Sequence, residues 1–191
     1  MKRFFDIILT TFAVVILSPL LIPIMIILKL TGEHYIFYCQ ERIGKNRQPF
    51  GLMKFATMLK NSPNIGTGDI TTRHDPRVLP FGRFLRKTKI NELPQLFNIL
   101  KGDMSIIGPR PLPAEYLVRY NKRHIMRLAV RPGLECPPRE FKQDIWTWQE
   151  HLDNDVWYVE NVGLLVDIMQ SIRLVRMVFN KKSAEKRAAV Q

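Results

Sequence analysis

Asn91 and Glu92 stand at the centre of the stretch of this sequence that is best suited to chemistry. Apolar residues recur between positions 93 and 100 at the spacing of one helical face, so a helix is predicted directly after them. Asn91 can cap the start of this helix, Pro94 suits its first turn, and Gly102 follows its end. The amide and the carboxylate are therefore expected at a helix N-terminus.

Basic residues surround this predicted helix. Arg83 and further cations up to position 89 precede it, and Arg110 follows it between two prolines. The free N–H groups of a helix start, together with nearby cations, favour an anion and above all a phosphate. Glu92 is the candidate ligand for a divalent metal beside such an anion. From the pattern alone, an amphipathic helix with basic flanks and no chemistry is the alternative.

Composition restricts the class of partner. The chain has 191 residues, enough for one domain with a core, and its 29 Lys and Arg against 17 Asp and Glu give a formal charge of +12. The candidate partners are nucleic acid, an anionic bilayer and phosphorylated small molecules. No nucleic-acid-binding motif accompanies the basic residues, so we expect no nucleic acid. Cys39 and Cys136 are far apart in sequence and suggest reduced thiols of a protein facing the cytosol.

The N-terminal segment predicts a membrane helix. Residues 7–28 carry no charge, and a straight helix of this length matches a hydrocarbon core of about 30 Å. Ser18 and Pro19 lie mid-segment, where proline removes a backbone hydrogen bond and the serine hydroxyl can satisfy the freed carbonyl. Basic residues flank both ends, and both ends therefore prefer the cytoplasm. A re-entrant helix that breaks at Ser18 and Pro19 satisfies both features, and a kinked spanning helix is the alternative.

The rest of the chain indicates an α+β fold, mostly helical. Short strands are predicted at residues 35–38 and 50–58, with a basic turn at 42–47 between them. A short helix is predicted after Pro113. Residues 162–179 predict an amphipathic basic helix that can lie on an anionic bilayer or pack on the domain. The expected organisation is a re-entrant membrane helix at 1–30, a domain at 31–182 and a disordered tail at 183–191.

One string of residues carries a family resemblance. From Glu92 to Pro111 the sequence strongly resembles the signature of the bacterial sugar transferases, the small monotopic phosphoglycosyl transferases. The resemblance spans nearly the whole chain and includes further short motifs: Lys2, Arg3 and Asp6; Ser18 and Pro19; Lys54 and Phe55; Asp75, Pro76 and Arg77; Gly82 and Arg83; Arg131, Pro132 and Gly133; and residues 155–158.

The resemblance implies a monotopic enzyme of the bacterial inner membrane, on its cytoplasmic face. Such an enzyme moves a sugar-1-phosphate from a nucleotide diphosphate sugar onto polyprenol phosphate, assisted by Mg²⁺. An aspartate before the glutamate attacks the β-phosphorus, nucleoside monophosphate leaves, and the lipid phosphate collects the phosphosugar. Several residues of this chain are retained for binding the substrate phosphates: Asp75, Arg77, Arg83, Arg110 and Arg131.

Three departures from the family pattern surround this site. Asn91 stands where the nucleophilic aspartate is expected, and Ala56 stands where the family usually has Arg or Lys. The third departure is a segment that replaces a flexible glycine turn with an extended backbone. It consists of Leu134, Glu135, Cys136, Pro137 and Pro138.

These departures favour a pseudoenzyme, a catalytically impaired homologue that associates with an active paralogous transferase in surface-glycan or exopolysaccharide assembly. The bilayer is an expected partner, and nucleotide diphosphate sugar and polyprenol phosphate are further candidates. Mg²⁺ is expected at Glu92 if metal binding or activity is retained, and otherwise no cofactor is expected. Two alternatives stay open: an active transferase that uses Glu92, another carboxylate or direct attack by lipid phosphate, and an engineered Asp-to-Asn variant.

Overall fold

The computed structural model describes residues 1–65, 72, 75–138 and 147–179, so the predicted tail at 183–191 lies outside the described residues. The described part is mixed α and β, as expected. Its helices and strands follow one another in this order: α1 Lys2–Leu30, β1 Phe37–Ile43, β2 Pro49–Phe55, α2 Pro80–Lys87, α3 Gln95–Lys101, β3 Ser105–Ile107, β4 Gly133–Glu135, α4 Trp148–Glu160 and α5 Leu164–Phe179.

The chain divides into two compact units that interleave in sequence. The first unit, which we call the arginine-rich unit, comprises Met1–Ile8, Glu41–Phe50 and Ile99–Gln191. The second, which we call the motif unit, comprises Leu9–Gln40 and Gly51–Asn98. The units are described separately below. The domain boundary predicted at residue 30 stays a prediction.

Helix α1 is long and apolar. Its most apolar window of 18 residues has a mean hydropathy of 2.7, and 17% of that window is buried, so length and composition suit a membrane helix. The helix continues without interruption through Pro19 and Pro23. Ser18 Oγ donates to the Val15 carbonyl at 2.7 Å, the group that Pro19 leaves without its usual donor. The predicted role of the serine hydroxyl is confirmed, and the re-entrant path stays a proposal.

The core of the motif unit joins α1 to the elements that carry the signature residues. Three buried side chains of α1 pack with Phe55 at the end of β2 and Leu85 of α2. The three are Leu21, Ile24 and Leu28. Ile90 and Leu93, on either side of the Asn91 position, pack against the same cluster. Burial of apolar area therefore fixes the backbone around Asn91 from both sides.

The arginine-rich unit is built on a short parallel pairing. Ser105 of β3 lies opposite Gly133 of β4, and Ile107 lies opposite Glu135. Tyr158 of α4 is fully buried against Ile107 and Cys136, and its hydroxyl donates to Asp167 of α5 at 2.5 Å. The aromatic residue at position 158 is therefore a packing residue, and it ties both long C-terminal helices to the β3–β4 pair.

Several predicted boundaries shift. The first strand begins at Phe37 and runs to Ile43, past the predicted end at 38 and into the predicted turn. The helix expected after Pro113 is a 3₁₀ helix over Ala114–Arg119. The C-terminal amphipathic helix is confirmed as α5, with apolar side chains such as Leu165 and Ile172 exposed. In each case the apolar pattern placed the element correctly, but local hydrogen bonding set its ends.

Gly82 fixes the start of α2 against the loop after β2. A Cβ built at this position would lie 2.2 Å from the carbonyl oxygen of Thr57. The Leu79 N–H also donates to this carbonyl, at 3.0 Å, so neither backbone can move away without losing a hydrogen bond. Only glycine permits this approach.

We expect Gly82→Ala to destabilise the fold by about 1–3 kcal/mol, because the added methyl group overlaps a backbone carbonyl held in place. Gly163→Ala is the matched control, since its Cβ would meet only the Asn161 carbonyl oxygen, at 3.9 Å. The control should change stability by less than about 0.5 kcal/mol. Thermal unfolding of both variants in detergent measures the difference, and equal melting temperatures would refute the close approach.

Candidate functional site

Asn91 lies on a 3₁₀ turn before the predicted helix. The turn covers Ile90–Glu92 and follows Lys89, whose backbone is left-handed with φ of 60°. Helix α3 begins only at Gln95. The prediction that Asn91 caps the start of this helix is therefore wrong, because an intervening turn separates the amide from it. Asn91 and Glu92 are presented by a tight turn whose geometry the left-handed residue sets.

The Asn91 side chain is buried, with 7% of its surface exposed, and its Oδ1 atom has no hydrogen-bond partner among the described residues. A buried amide oxygen without a donor typically costs about 1–3 kcal/mol. Native proteins retain few such groups, and each calls for an explanation such as a ligand or a catalytic role. Here the unpaired oxygen lies where the resemblance expects a nucleophilic carboxylate oxygen. The position keeps an acceptor and loses the negative charge.

Arg86 of α2 lies in the electric field of the neighbouring carboxylates. Burial lowers the pKa of its guanidinium, while the charges of Asp75 and Glu92 raise it and that of Arg77 lowers it further. The guanidinium also contacts Thr57 Oγ1 and Met58 Sδ, each at 3.4 Å. Arg86 is among the cations that precede the predicted helix, but it was not included with Arg83 in the predicted phosphate-binding residues. The signal was its spacing of three from Arg83, which places both cations near one face of the same helix.

Asp75 and Arg77 form a buried ion pair. Arg77 Nη2 donates to Asp75 Oδ2 at 2.6 Å, and Arg77 Nε donates to Asp75 Oδ1 at 2.9 Å. Arg77 Nη1 donates to the carbonyls of Ser62 and Ile65 at 2.8 and 2.6 Å. The guanidinium therefore cross-links Asp75 to residues 62–65, which follow β2. A role of either residue in binding substrate stays a prediction.

The remaining predicted residues of the motif unit differ in exposure. Arg83 is exposed on α2, where its side chain can reach a ligand in solvent. Ala56 is buried, and its N–H donates to the Ile36 carbonyl at 2.8 Å. The methyl group thus occupies a closed position beside the strand end, and it supplies no charge there.

In the arginine-rich unit, Arg110 is carried by a loop held between two glycines. A Cβ at Gly133 would lie 2.2 Å from the Gly108 nitrogen, and a Cβ at Gly108 would lie 2.7 Å from the Arg131 carbonyl oxygen. The Gly133 N–H donates to the Pro109 carbonyl at 3.0 Å. This contact locks the loop from 108 to 111 against the segment from 131 to 133. Arg110 Nη1 donates to the Leu134 carbonyl at 3.2 Å.

Arg127 holds the Arg110 loop from the other side. Arg127 Nη2 donates to the Arg110 carbonyl and to Asp155 Oδ2, each at 2.6 Å, and Nη1 donates to the Tyr120 hydroxyl. Arg127 and Asp155 are both buried, so the pair is a positioning device that solvent does not screen. Sequence reasoning placed Arg127 in a basic cluster and missed the pair, because its partner is 28 residues away.

The segment from Leu134 to Pro138, which departs from the family pattern, packs into the arginine-rich unit. Leu134 and Glu135 belong to β4, and Asn154 Nδ2 lies 3.4 Å from the Pro137 carbonyl oxygen. Burial and the nearby carboxylates of Asp155 and Glu135 raise the pKa of the Cys136 thiol well above its usual value. The thiol is therefore protonated at neutral pH and is a poor replacement nucleophile. Arg131 donates through Nε to the Gly102 carbonyl at 2.9 Å.

The structure thus distributes the predicted residues over two groups. Asp75, Arg77, Arg83, Asn91 and Glu92 belong to the motif unit, whereas Arg110 and Arg131 belong to the arginine-rich unit. Among the described residues, no group of three or more His, Cys, Asp or Glu side chains is placed to hold a metal ion. Mg²⁺ commonly needs only one or two protein oxygens when substrate phosphates complete its shell, and Glu92 with the unpaired Asn91 oxygen fits that donor set.

We expect the stability of the fold to depend on Asp75 in acid. Its hydrogen bonds from Arg77 hold the pKa of this carboxyl well below its usual range. The ion pair therefore stabilises the folded state fully above the unfolded value of about 3.9, and this stabilisation is lost as pH falls toward the lower folded value. Asp75→Asn should lower the melting temperature at pH 7 and flatten its decline below about pH 4.

Asp103→Asn is the matched control for this prediction. Asp103 pairs with Lys101 at 3.2 Å, but the lysine side chain is largely exposed, and exposed pairs contribute little. Melting curves of the two variants and the parent between pH 3 and pH 7 compare them. Parallel curves for the parent and Asp75→Asn would contradict a structural role of this ion pair.

Comparison with known proteins identifies the family. The profile described as bacterial sugar transferase matches residues 1–181. An uncharacterized sugar transferase of Haemophilus influenzae is 34% identical over 96% of this chain and 42% of its own length. The uncharacterized sugar transferase EpsL of Bacillus subtilis is 33% identical over 93% of this chain and 87% of its own.

A relative with a named activity is similar over the same region. The UDP-N-acetylgalactosamine-undecaprenyl-phosphate N-acetylgalactosaminephosphotransferase of Aeromonas hydrophila is 31% identical over 93% of this chain. The present chain spans 43% of that relative's length. With its signature residues in place and the family profile matched over residues 1–181, this chain belongs to the bacterial sugar transferase family.

Proposed function

We propose that this chain is a catalytically impaired phosphoglycosyl transferase homologue that associates with an active transferase in the assembly of a surface glycan. The observation that carries this proposal is Asn91, a buried amide with an unpaired oxygen at the position of the expected nucleophile. The rest of the signature is retained in sequence, and its surroundings are well packed. In this proposal the chain retains the fold and has lost the reaction.

The chemistry explains why this one substitution matters. In the covalent route that the family resemblance implies, a carboxylate oxygen bonds to the β-phosphorus while the bond to the departing nucleoside monophosphate breaks. An amide oxygen is neutral, and its lone pairs are delocalised, so it attacks phosphorus poorly. No pKa change can restore the charge, because the amide has no proton to lose near neutral pH. Cys136 offers no substitute, since its thiol is buried and protonated.

The chain can still bind ligands although it lacks the nucleophile. Glu92 keeps its carboxylate, and Arg83 and Arg110 keep their cations. Glu92 and Arg83 in the motif unit, and separately Arg110 in the arginine-rich unit, are of the residue types that bind the phosphates of a nucleotide diphosphate sugar or of polyprenol phosphate, the substrate classes named for the Aeromonas relative. Mg²⁺ held by Glu92 and the Asn91 oxygen would screen the phosphate charges when bound. We therefore propose a protein that can bind substrate without turning it over.

Two exposed apolar surfaces support membrane association. Helix α1 exposes apolar side chains along most of its length, and α5 exposes an apolar stripe that includes Leu165 and Ile172. Ser18 satisfies the Val15 carbonyl at the proline, which lowers the energetic cost of a bend within lipid. These features support a monotopic protein with a re-entrant helix on the cytoplasmic face of the inner membrane.

A second candidate function is an active transferase that uses Glu92 or direct attack by the lipid phosphate. The retained carboxylate on the same 3₁₀ turn as Asn91 favours it. It differs from the leading proposal in one measurable respect, the release of nucleoside monophosphate.

We expect the purified chain to release no nucleoside monophosphate when supplied with nucleotide diphosphate sugars, polyprenol phosphate and Mg²⁺. A missing nucleophile typically lowers the rate by about a thousandfold or more. Asn91→Asp alone should stay inactive, because Ala56 and the segment from 134 to 138 also depart from the family pattern. An active relative assayed in the same preparation shows that the conditions support turnover.

Release by the unmodified chain that Glu92→Gln abolishes would establish the active alternative and refute the leading proposal. Restoration by Asn91→Asp alone would show that the other two departures do not disable the site. Both variants need a melting curve beside the assay, so that loss of folding is not read as loss of chemistry.

We expect the association with an active transferase, which we call the scaffold role, not to depend on the Asn91 amide. Deletion of the gene in its source bacterium should reduce the glycan, and a chain carrying Asn91→Ala should restore it within about twofold, as most substitutions that touch no essential contact do. The parent chain and Asn91→Ala should also retain the same transferase on purification from solubilised membranes. A chain that only self-associates, or complementation that fails with a folded Asn91→Ala protein, would contradict the scaffold role.

A further inference from the structure

A cationic cavity in the arginine-rich unit is not used by the proposed function. It has a volume of about 160 Å³ and lies where the start of α1 meets the turn after β1 and the β3–β4 pair. Its charged and hydroxyl-bearing lining residues are Lys2, Arg3, Asp6, Lys45, Ser105 and Arg131. Four cations against one carboxylate make the cavity electropositive, which favours an anionic occupant.

The acidic groups near the cavity already have protein partners. Asp6 is buried, and its carboxylate accepts from Ser105 Oγ at 2.9 Å and from the Ile106 N–H at 3.2 Å. Asp167 accepts from Lys2 Nζ at 2.8 Å. These bonds hold the acids in place and leave them poorly suited to bind a cation. The net positive charge of the lining is therefore a stable feature of this unit.

Two of the cations have donors to spare. Arg131 bonds the Gly102 carbonyl through Nε, and its terminal nitrogens have no acceptor among the described residues, so they can donate to a ligand. Lys45 is exposed and has no side-chain partner in the part of the chain that the structure describes. Arg3, by contrast, is committed to the carbonyls of Ile99 and Leu100 and supplies a fixed charge. The cavity thus combines fixed positive charge with two side chains able to donate to a ligand.

Lys45 is held by a closed turn. The Gly44 N–H donates to the Gln48 carbonyl at 2.8 Å, and the Gln48 N–H donates to the Lys45 carbonyl at 3.1 Å. Asn46 completes the turn in the left-handed region with φ of 55°. A backbone fixed in this way loses little entropy when the lysine meets a ligand.

The volume of the cavity and its position beside exposed apolar side chains indicate what kind of ligand it can bind. The cavity admits a phosphate group with its ester atoms, but it is smaller than the roughly 300–1,000 Å³ that pockets for larger ligands occupy. The same turns of α1 that direct Lys2, Arg3 and Asp6 to the cavity leave Phe4 63% exposed and Ile8 48% exposed. Exposed apolar side chains beside inward-facing cations are typical of a helix at the boundary of headgroups and acyl chains.

We propose that this cavity binds the phosphate group of a membrane phospholipid and so fixes the start of α1 at headgroup level. The inference involves neither Asn91 nor Glu92, and it stands whether or not the chain catalyses phosphosugar transfer. Its test has a binding readout, so its failure is distinguishable from failure of the proposed function.

The experiment uses the full chain, delipidated in detergent, titrated with dioctanoyl phosphatidylglycerol. Dioctanoylglycerol supplies the same acyl chains without phosphate, and inorganic phosphate supplies the anion without acyl chains. The phospholipid should bind saturably and raise the melting temperature. Lys45→Gln and Arg131→Gln should each weaken its binding about tenfold, because each removes a charge-assisted hydrogen bond. Lys122→Gln, at an exposed lysine of the same unit outside the cavity, is the control and should not.

Equal binding of dioctanoylglycerol, or unchanged binding by both cavity variants, would overturn the proposal. Inorganic phosphate that binds as tightly as the phospholipid would overturn the lipid assignment and make soluble phosphate the occupant. Arg131→Gln also removes the bond to Gly102, so its melting temperature without ligand is measured first. Lys45→Gln, at an exposed turn residue, decides the question by itself if the arginine variant does not fold.

Discussion

The close approach of Gly108 and Gly133 is the constraint on which the arginine-rich unit depends. No side chain fits between these two backbones, and the parallel pairing of β3 with β4 holds them in register. The loop that carries Arg110 and the segment that begins at Arg131 are therefore joined by main-chain contacts, and the Arg127 side chain holds the same loop from the other side. The glycine contact involves none of the side chains of the segment from 134 to 138 that departs from the family pattern.

In the motif unit, too, the backbone around the candidate site is held by contacts that do not involve the side chain at the site itself. Gly82 against Thr57, the Asp75–Arg77 pair and the apolar cluster around Leu85 hold the backbone near Asn91. None of these contacts uses the Asn91 side chain, whose oxygen has no partner. Catalysis by the expected route requires a charge at that one position, whereas folding does not. A chain of this family can therefore lose the reaction and keep its structure.

Sequence reasoning succeeded where the determining interaction is local. The apolar run of α1, the serine that satisfies the Val15 carbonyl and the amphipathic pattern of α5 all depend on residues a few positions apart. It failed at Asn91, because a left-handed residue at Lys89 inserts a 3₁₀ turn that periodicity does not encode. It placed Arg127 and Arg86 in basic clusters but missed their interactions with Asp155 and with Asp75 and Glu92, because these partners are brought close only by folding. The family signature predicts the site, but contact geometry was needed to separate structural arginines from exposed ones.

Several arginines bond carbonyls within the protein, so the net charge of this chain is a poor guide to where its ligands bind. Arg3 and Arg131 both donate to carbonyls at the C-terminal end of α3, where the helix dipole and the unpaired carbonyl groups favour cations. Arg77 and Arg127 likewise bond carbonyls inside the protein while paired with buried acids. Much of the basic excess therefore cross-links loops that contain few regular hydrogen bonds. Lys45 and the terminal nitrogens of Arg131 have no acceptor among the described residues, so both can serve an external anion, and both line a cavity beside the exposed apolar turns of α1. A positive charge in that setting suits the surface of an anionic bilayer, because the cavity that Lys45 and Arg131 line lies beside turns of α1 that expose apolar side chains.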